Sequence, residues 1–439
     1  MLRGPSLALP ASLMALLTLF RPCFTEPTFR AFCALGGGFL AQPGRRTVCG
    51  MLTGAGLSRA WSHHRAHRFF SAARWSPQDV SAVLTRFVVD RLVPAGDAVV
   101  VAVDDTLFKR TGRKVHAASW FHDGSATGRH QVGYGNNWVI AAIVVRLAFL
   151  DRPVALPVGF ALVRKGTDDA SRLALGRRLV ERLAATVAGR TVHVVADSAY
   201  AGKALRGLPA TITWTTRLRC NAALHALAPP RTGKRGRPRL KGDKLGSLAA
   251  LAAAADFTTT TVRRYGTTVD VQTATIICLW YGVLGPQHVQ VVLVRDGSAT
   301  GYDVALVSTD LSATAAQVIE RYASRWSIEV AIEDAKQTTG VGQARNRLRT
   351  AVERTVPFGL IWSTLVICWY ASAGYHSEDV EGVRALSPWY RDKTQPSVAD
   401  MHAKLRRVLI AAQFRRTDPE PATPEEINIL RLARADVAA

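Results

Sequence analysis

The chain is short of acid. Its 33 Asp and Glu stand against 56 Lys and Arg, a formal net charge of +23. A surplus of that size repels itself unless a polyanion balances it, which makes nucleic acid the first partner to consider and a membrane surface the second. Basic residues run along the whole length with no cluster beside a long apolar span, so the membrane reading is the weaker one. Cysteine is also scarce. Cys23, Cys33, Cys49, Cys220, Cys278 and Cys368 are scattered, with no Cys-x-x-Cys pair and no His at ligand spacing. That pattern excludes a disulfide scaffold, argues against structural zinc and fits a reducing, cytoplasmic setting. There is no internal repeat. The run closest to a membrane span, "VPFGLIWSTLVICWYASAGY" (356–375), is interrupted by Pro and Gly and reads as a buried core helix, so no membrane partner is expected. The start, "MLRGPSLALPASLMALLTLFRPC", has an early Arg and an apolar stretch but enters Arg-Pro-Cys without a small-residue cleavage pattern. It reads as a helix of an N-terminal domain. The single His cluster, "WSHHRAHRFF" (61–70), reads as a basic aromatic surface near nucleic acid in preference to a metal site.

What is present is a globular composition, 48% hydrophobic and 20% charged, in a chain long enough for a large core with accessory domains. Residues 1–95 read as short helices ending in "PQDVSAVLTRFVVDRLVP", a helical N-terminal domain suited to recognising DNA ends. From there the texture turns α/β. "DAVVVAVDDT" (97–106) reads as a buried strand stopping on two acids, with two more apolar runs, "NNWVIAAIVVRLAFL" and "RPVALPVGFALV", in the same sheet. "GRHQVGYGNNWV" (128–138) reads as the glycine- and amide-rich link between the first two strands, near the active centre or a plain turn. "DASRLALGRRLVERLAATVAG" is helical and feeds "TVHVVADSAY", a strand ending on Asp197, then "TITWTTRLR". This gives a core in two parts, 96–219 and 301–375, separated by a mostly β insertion with a basic linker at 220–300. A helical region at 376–439 follows, with capping patterns at Ser397/Asp400 and at Thr423-Pro424-Glu425-Glu426.

Chemistry concentrates in "RYASRWSIEVAIEDAK" (321–336). At ~100° per residue, Tyr322, Arg325, Glu329, Glu333 and Lys336 share one stripe, while Trp326, Ile328, Val330, Ala331, Ile332 and Ala335 make much of the remaining surface apolar. By itself such a stripe is a salt-bridged surface ridge. It gains meaning beside the acids at strand ends, Asp104 or Asp105 and Asp197, because strand ends of an open α/β sheet gather sites. Three carboxylates converging on two hard cations about 4 Å apart can neutralise a phosphate and activate an oxygen nucleophile. Arg217 and Arg219 alternate with Leu218 and suit phosphate contacts on one side of a strand. Arg235 and Arg237 in "KRGRPR" suit a narrow A·T minor groove, or a merely solvated basic loop.

The spacing Tyr322-x2-Arg325-x3-Glu329-x6-Lys336 matches the YREK signature, and the chain resembles bacterial insertion-sequence transposases of the DDE type. "AVDDT" is similar to the motif around that family's first acid and "VVADSAY" to the second, and Trp326 is a common companion of the Arg. The resemblance covers residues 97–372. It implies an RNase H-like core interrupted by the insertion, with catalytic and metal-ligating acids Asp105 or Asp104, Asp197 and Glu329. Two Mg²⁺ ions, for which Mn²⁺ can substitute, come with that triad. The implied activity is cleavage at terminal inverted repeats and joining of the ends to target DNA. Tyr322, Arg325 and Lys336 would contact phosphates of the transposon end. The partners implied are double-stranded DNA and a second copy of the chain in the DNA complex, and the setting is the bacterial nucleoid. "AVDDT" fits Asp105 as the first acid, with Asp104 supporting it from behind, and Glu333 is the substitute for Glu329. A nuclease or resolvase without strand transfer would share the acids but not need the ridge. A non-catalytic DNA-binding descendant would need neither, yet both are intact here.

Overall fold

β1 (Val99–Lys109) is the central strand, and Val99, Val101, Ala102 and Val103 are fully buried in it, as expected where both sheet faces are covered. The computed structural model describes residues 9–124, 131–230, 238–298 and 300–417. β1 does not stop on its acids. Thr106, Leu107 and Phe108 continue to pair with Trp138, Asn137 and Asn136, so Asp104 and Asp105 lie inside the strand. Successive strand side chains point to opposite faces, and the two acids therefore part company.

β3 (Val132–Val145) runs antiparallel to β1, and β4 (Val154–Leu162) antiparallel to β3. The stretch expected to link strands is, from Val132 onward, the start of β3 itself, while residues 128–130 lie outside the described residues. A short β2 (Ser119–His122) pairs with the beginning of β3. On the other side of β1, β5 (Val192–Ala196) and then β6 (Ile212–Arg217) are parallel to it. Three antiparallel strands followed by two parallel ones make the expected RNase H-like core. The sheet does not end there. β7 (Thr258–Arg264), β8 (Thr267–Leu279) and β9 (His288–Arg295) join it through β10 (Val304–Ser308), which pairs antiparallel with β6, giving ten strands in all. The β-rich residues after 220 thus extend the core sheet.

Helices cover both faces. α5 (Pro77–Leu92) and α6 (Arg172–Thr186) pack on one, each started by a serine, Ser76 or Ser171, whose hydroxyl accepts from the third amide beyond it. α9 (Ala315–Ser324) and α10 (Trp326–Gln337) lie on the other. α11 (Arg349–Trp369) is the apolar run read as a core helix. It is long and apolar enough to cross a membrane, but its apolar window is 83% buried inside the protein. α1 (Ala11–Thr18), α2 (Glu26–Ala41) and α4 (His63–Ser71) gather on it, as does α13 (Val398–Thr417), while α3 (Val48–Gly54) packs on α2 and α4. Gly36 is what lets α2 ride on α11: a Cβ there would fall 1.8 Å from the Trp362 ring. Phe358 meets Phe32, Phe69 and Phe70 edge-on around this contact. α7 (Leu248–Ala254), α8 (Tyr281–Leu284) and α12 (Asp379–Leu386) are short connectors. At the start of α13, Ser397 and Asp400 exchange side chain to backbone bonds in both directions, the expected cap. The Thr423–Glu426 pattern lies outside the described residues.

Candidate active site

Strand alternation sorts the two adjacent acids. Asp105 shares a face with Val103, against α6, and is fully engaged there. Arg172 donates to both its oxygens at 3.1 and 2.9 Å, Asn137 Nδ2 to Oδ2 at 2.8 Å, and the Tyr200 hydroxyl to Oδ1 at 3.0 Å. Asp104 shares the opposite face with Thr106 and Phe108, under α10. The motif pointed to Asp105 as the first acid; of the two, Asp104 lies toward the charged ridge, 3.9 Å from Arg325, while Asp105 is held by Arg172 on the other face.

Asp197 follows the last residue of β5 and caps a short turn, its Oδ1 accepting from the Ala199 amide at 2.6 Å. The parallel pairing of β1 with β5 ends at Val103↔Ala196, and Asp104 and Asp197 are the next residue of each chain. Half-buried Asp197 raises the Tyr322 hydroxyl, whose largest perturbation is burial, while Arg325 and Arg217 pull it down. Asp197 and Arg217 therefore lie close enough to Tyr322 to act on it.

The ridge residues sit where two helices meet. The expected single helix is broken in its hydrogen bonding at Arg325, which keeps a right-handed helical backbone (φ −52°, ψ −36°) between α9 and α10. Its guanidinium spans the site: Nη1 lies 2.7 Å from Glu329 Oε1 and 3.9 Å from Asp104 Oδ2. Burial pushes Asp104 up to about 7. The Asp105 amide and Arg325 oppose that rise, and the charges of Asp105 and Glu329 add to it. One guanidinium does not compensate this many carboxylates in a partly buried place.

Lys336 plays a different part from the one expected of a phosphate contact. It donates to Thr106 Oγ1 at 2.6 Å and to the Leu107 carbonyl at 3.2 Å, and it lies over the Phe108 ring. It rivets α10 to β1. Glu333, the substitute third acid, is exposed and accepts from Gln337. Trp326 is 51% exposed and, with Val330 and Asp334, lines a cleft of about 690 Å³ against Arg263, Arg264 and Tyr265 of the β7–β8 turn. Neither Glu329 nor Arg325 lines that cleft. The apolar positions of the ridge helix are thus divided: Ile328, Ile332 and Ala335 are buried, while Trp326 and Val330 are not.

Arg217 is exposed at the end of β6. Arg219 lies two residues past the end of the strand and is exposed as well, while Leu218 between the two arginines is buried and donates its amide to Ala305. Arg235 and Arg237 lie outside the described residues. Arg172, Asn137 and Tyr200 were missed as site residues; the adjacent amides of "GNNW" were the one signal that a strand interior held polar work. Also missed was the company of a cysteine. Cys49 Sγ lies 3.7 Å from His67 Nε2, a contact between two helices that spacing along the chain does not display.

No curated protein sequence matches the chain. A solved piggyBac transposase synaptic complex with hairpin DNA is similar at 13% identity and a TM-score of 0.42, over 97% of this chain and 80% of that one. The family model described as DDE superfamily endonuclease matches residues 19–276, a span holding Asp104, Asp105 and Asp197 and ending before Glu329. With more than half of its length matched, the chain belongs to the DDE superfamily endonucleases.

Proposed function

We propose that the protein is a DNA transposase whose acids are Asp104, Asp197 and Glu329. The observation that carries this is the convergence of three distant segments. Asp104 and Asp197 each follow the last β1–β5 pair, and Arg325 links Asp104 to Glu329 across the β1–α10 interface, which supports the reading. An all-oxygen donor set suits Mg²⁺, and a carboxyl raised to about 7 among other acids is what a cation-binding cluster presents on its own. When bound, a pair of such ions supplies neutralisation of the scissile phosphate and activation of the attacking oxygen.

The remaining roles follow from contacts. Arg325, now paired with Glu329, is free to turn its guanidinium to a phosphate once the carboxylate has another cation to face, and its planar fork suits that bond. Tyr322 and exposed Arg217 extend the same edge toward the DNA backbone. Lys336 acts as a positioning residue, fixing α10 so that Glu329 stays opposite Asp104. Asp105, with Arg172, Asn137 and Tyr200, fixes the strand from the other face. Joining two transposon ends to a target calls for two copies of the chain on DNA, and the +23 charge provides for long phosphate tracks.

Strand transfer of a labelled terminal-repeat oligonucleotide, with and without Mg²⁺, tests the reading. Joining that requires Mg²⁺ and is lost in Glu329→Gln and Asp104→Asn, with Asp105→Asn less affected, is expected. Cleavage without joining would reassign the protein as a nuclease, and binding without cleavage as a DNA-binding descendant.

A further inference from the structure

We propose a second metal site, remote from the acids, in which Cys49, His63 and His67 bind one Zn²⁺. His63 and His67 are one helical turn apart on α4, so both rings project from the same side, with centroids 4.2 Å apart and planes tilted by 35°. Cys49 comes to them from α3. One ligand atom from each of the three lies within 4.8 Å of the others. In a tetrahedral site with Zn–S near 2.3 Å and Zn–N near 2.0 Å, the sulfur and nitrogen are about 3.5 Å apart. The 3.7 Å between Cys49 Sγ and His67 Nε2 is already close to that edge, and modest side-chain rotation closes the rest.

The ligands stand on anchored helices. Val48, Met51 and Leu52 bury one side of α3, and Ala66, Phe69 and Phe70 bury one side of α4, which leaves the ligating side chains at the surface where an ion can enter. Thr53 donates to the Cys49 carbonyl and Ser71 to the His67 carbonyl, so hydroxyls bond the backbone at both ligands. One thiolate with two imidazoles suits Zn²⁺ and excludes Mg²⁺, which takes oxygen. Binding releases the thiol proton as the sulfur–metal bond forms, and three protein ligands leave a fourth position for water. The ion would cross-link α3 to α4 in the helical layer that packs on α11.

Co²⁺ titration of the metal-stripped full-length protein tests this, because a tetrahedral thiolate site gives an intense visible band and a sulfur-to-metal charge-transfer band that carboxylate sites lack. One equivalent should produce both bands, and one equivalent of Zn²⁺ should abolish them. Cys49→Ser should remove the charge transfer, and Cys49→Ser and His67→Gln should each weaken Zn²⁺ binding by about 100-fold or more, beyond the usual effect of a group outside the coordination shell. Asp104→Asn should leave the bands unchanged. Co²⁺ binding without charge transfer, or bands that survive Cys49→Ser in a protein of unchanged circular dichroism, would mean that the cluster is only a close His pair with a sulfur neighbour.

Discussion

Asp104→Asn separates the energetic state of the acid cluster from its catalytic use. Burial dominates the rise of this carboxyl from 3.8 to about 7, and its side chain is 21% exposed, so solvent screening is limited. A folded pKa above the unfolded one means that the native state holds the proton where the unfolded chain has released it. The stability tied to the protonated form is fully present below pH 3.8 and is lost as pH rises through 7. The gap corresponds to about 4 kcal/mol once both states are ionised. Asparagine cannot ionise, and its carbonyl oxygen can still accept the Asp105 amide bond, 2.8 Å in the wild type. The variant should therefore be more stable than the wild type in EDTA, by about 2 kcal/mol at pH 5 and about 4 kcal/mol at pH 8. Urea denaturation of both proteins at matched pH measures the difference. Millimolar Mg²⁺ should raise the wild-type midpoint and leave that of the variant in place. A difference that stays flat between pH 5 and 8, or a wild type more stable than Asp104→Asn at pH 8, would refute the reading of a carboxyl crowded by burial and neighbouring acids.

Two further perturbations test the scaffold. Lys336→Met keeps the stem but removes the donor to Thr106 and Leu107, so it should cost about 1–3 kcal/mol in denaturation and lower the rate of DNA cleavage with little change in DNA affinity, as gel shifts and single-turnover assays would report. An unchanged rate would remove Lys336 from its positioning role. Gly36→Ala drives a methyl into Trp362, which is buried among Phe32 and Phe358, and should destabilise by about 1–3 kcal/mol with a visible change in Trp fluorescence. A variant as stable as the wild type would show that α2 can shift along α11 at no cost.

Much of the architecture was legible locally. Continuous apolar runs became β3, β4 and β5, runs of helical period became α5 and α6, the long apolar run became α11, and Ser397 with Asp400 became the cap of α13. These depend on neighbours a few residues away, and such neighbours are printed in the sequence. The meeting of Arg325 with Glu329 was legible for the same reason, since the four-residue spacing brings them together through one helical turn.

The choice between Asp104 and Asp105 was of another kind. Both stand in the same run, and which of them faces α10 depends on the parity of β1 in the finished sheet, where a shift of one residue would exchange their faces. Only the pairing with β3 and β5, set by side chains far along the chain, fixes that parity. The same holds for Lys336, whose partners lie on a strand more than two hundred residues away, and for Cys49, whose histidines arrive by the packing of two helices. The sequence by itself determined the elements, the charge and the residue types of the site. The tertiary structure decided which faces met, because a side chain's partner across an interface is set by the register of whole elements and not by its neighbours in the chain.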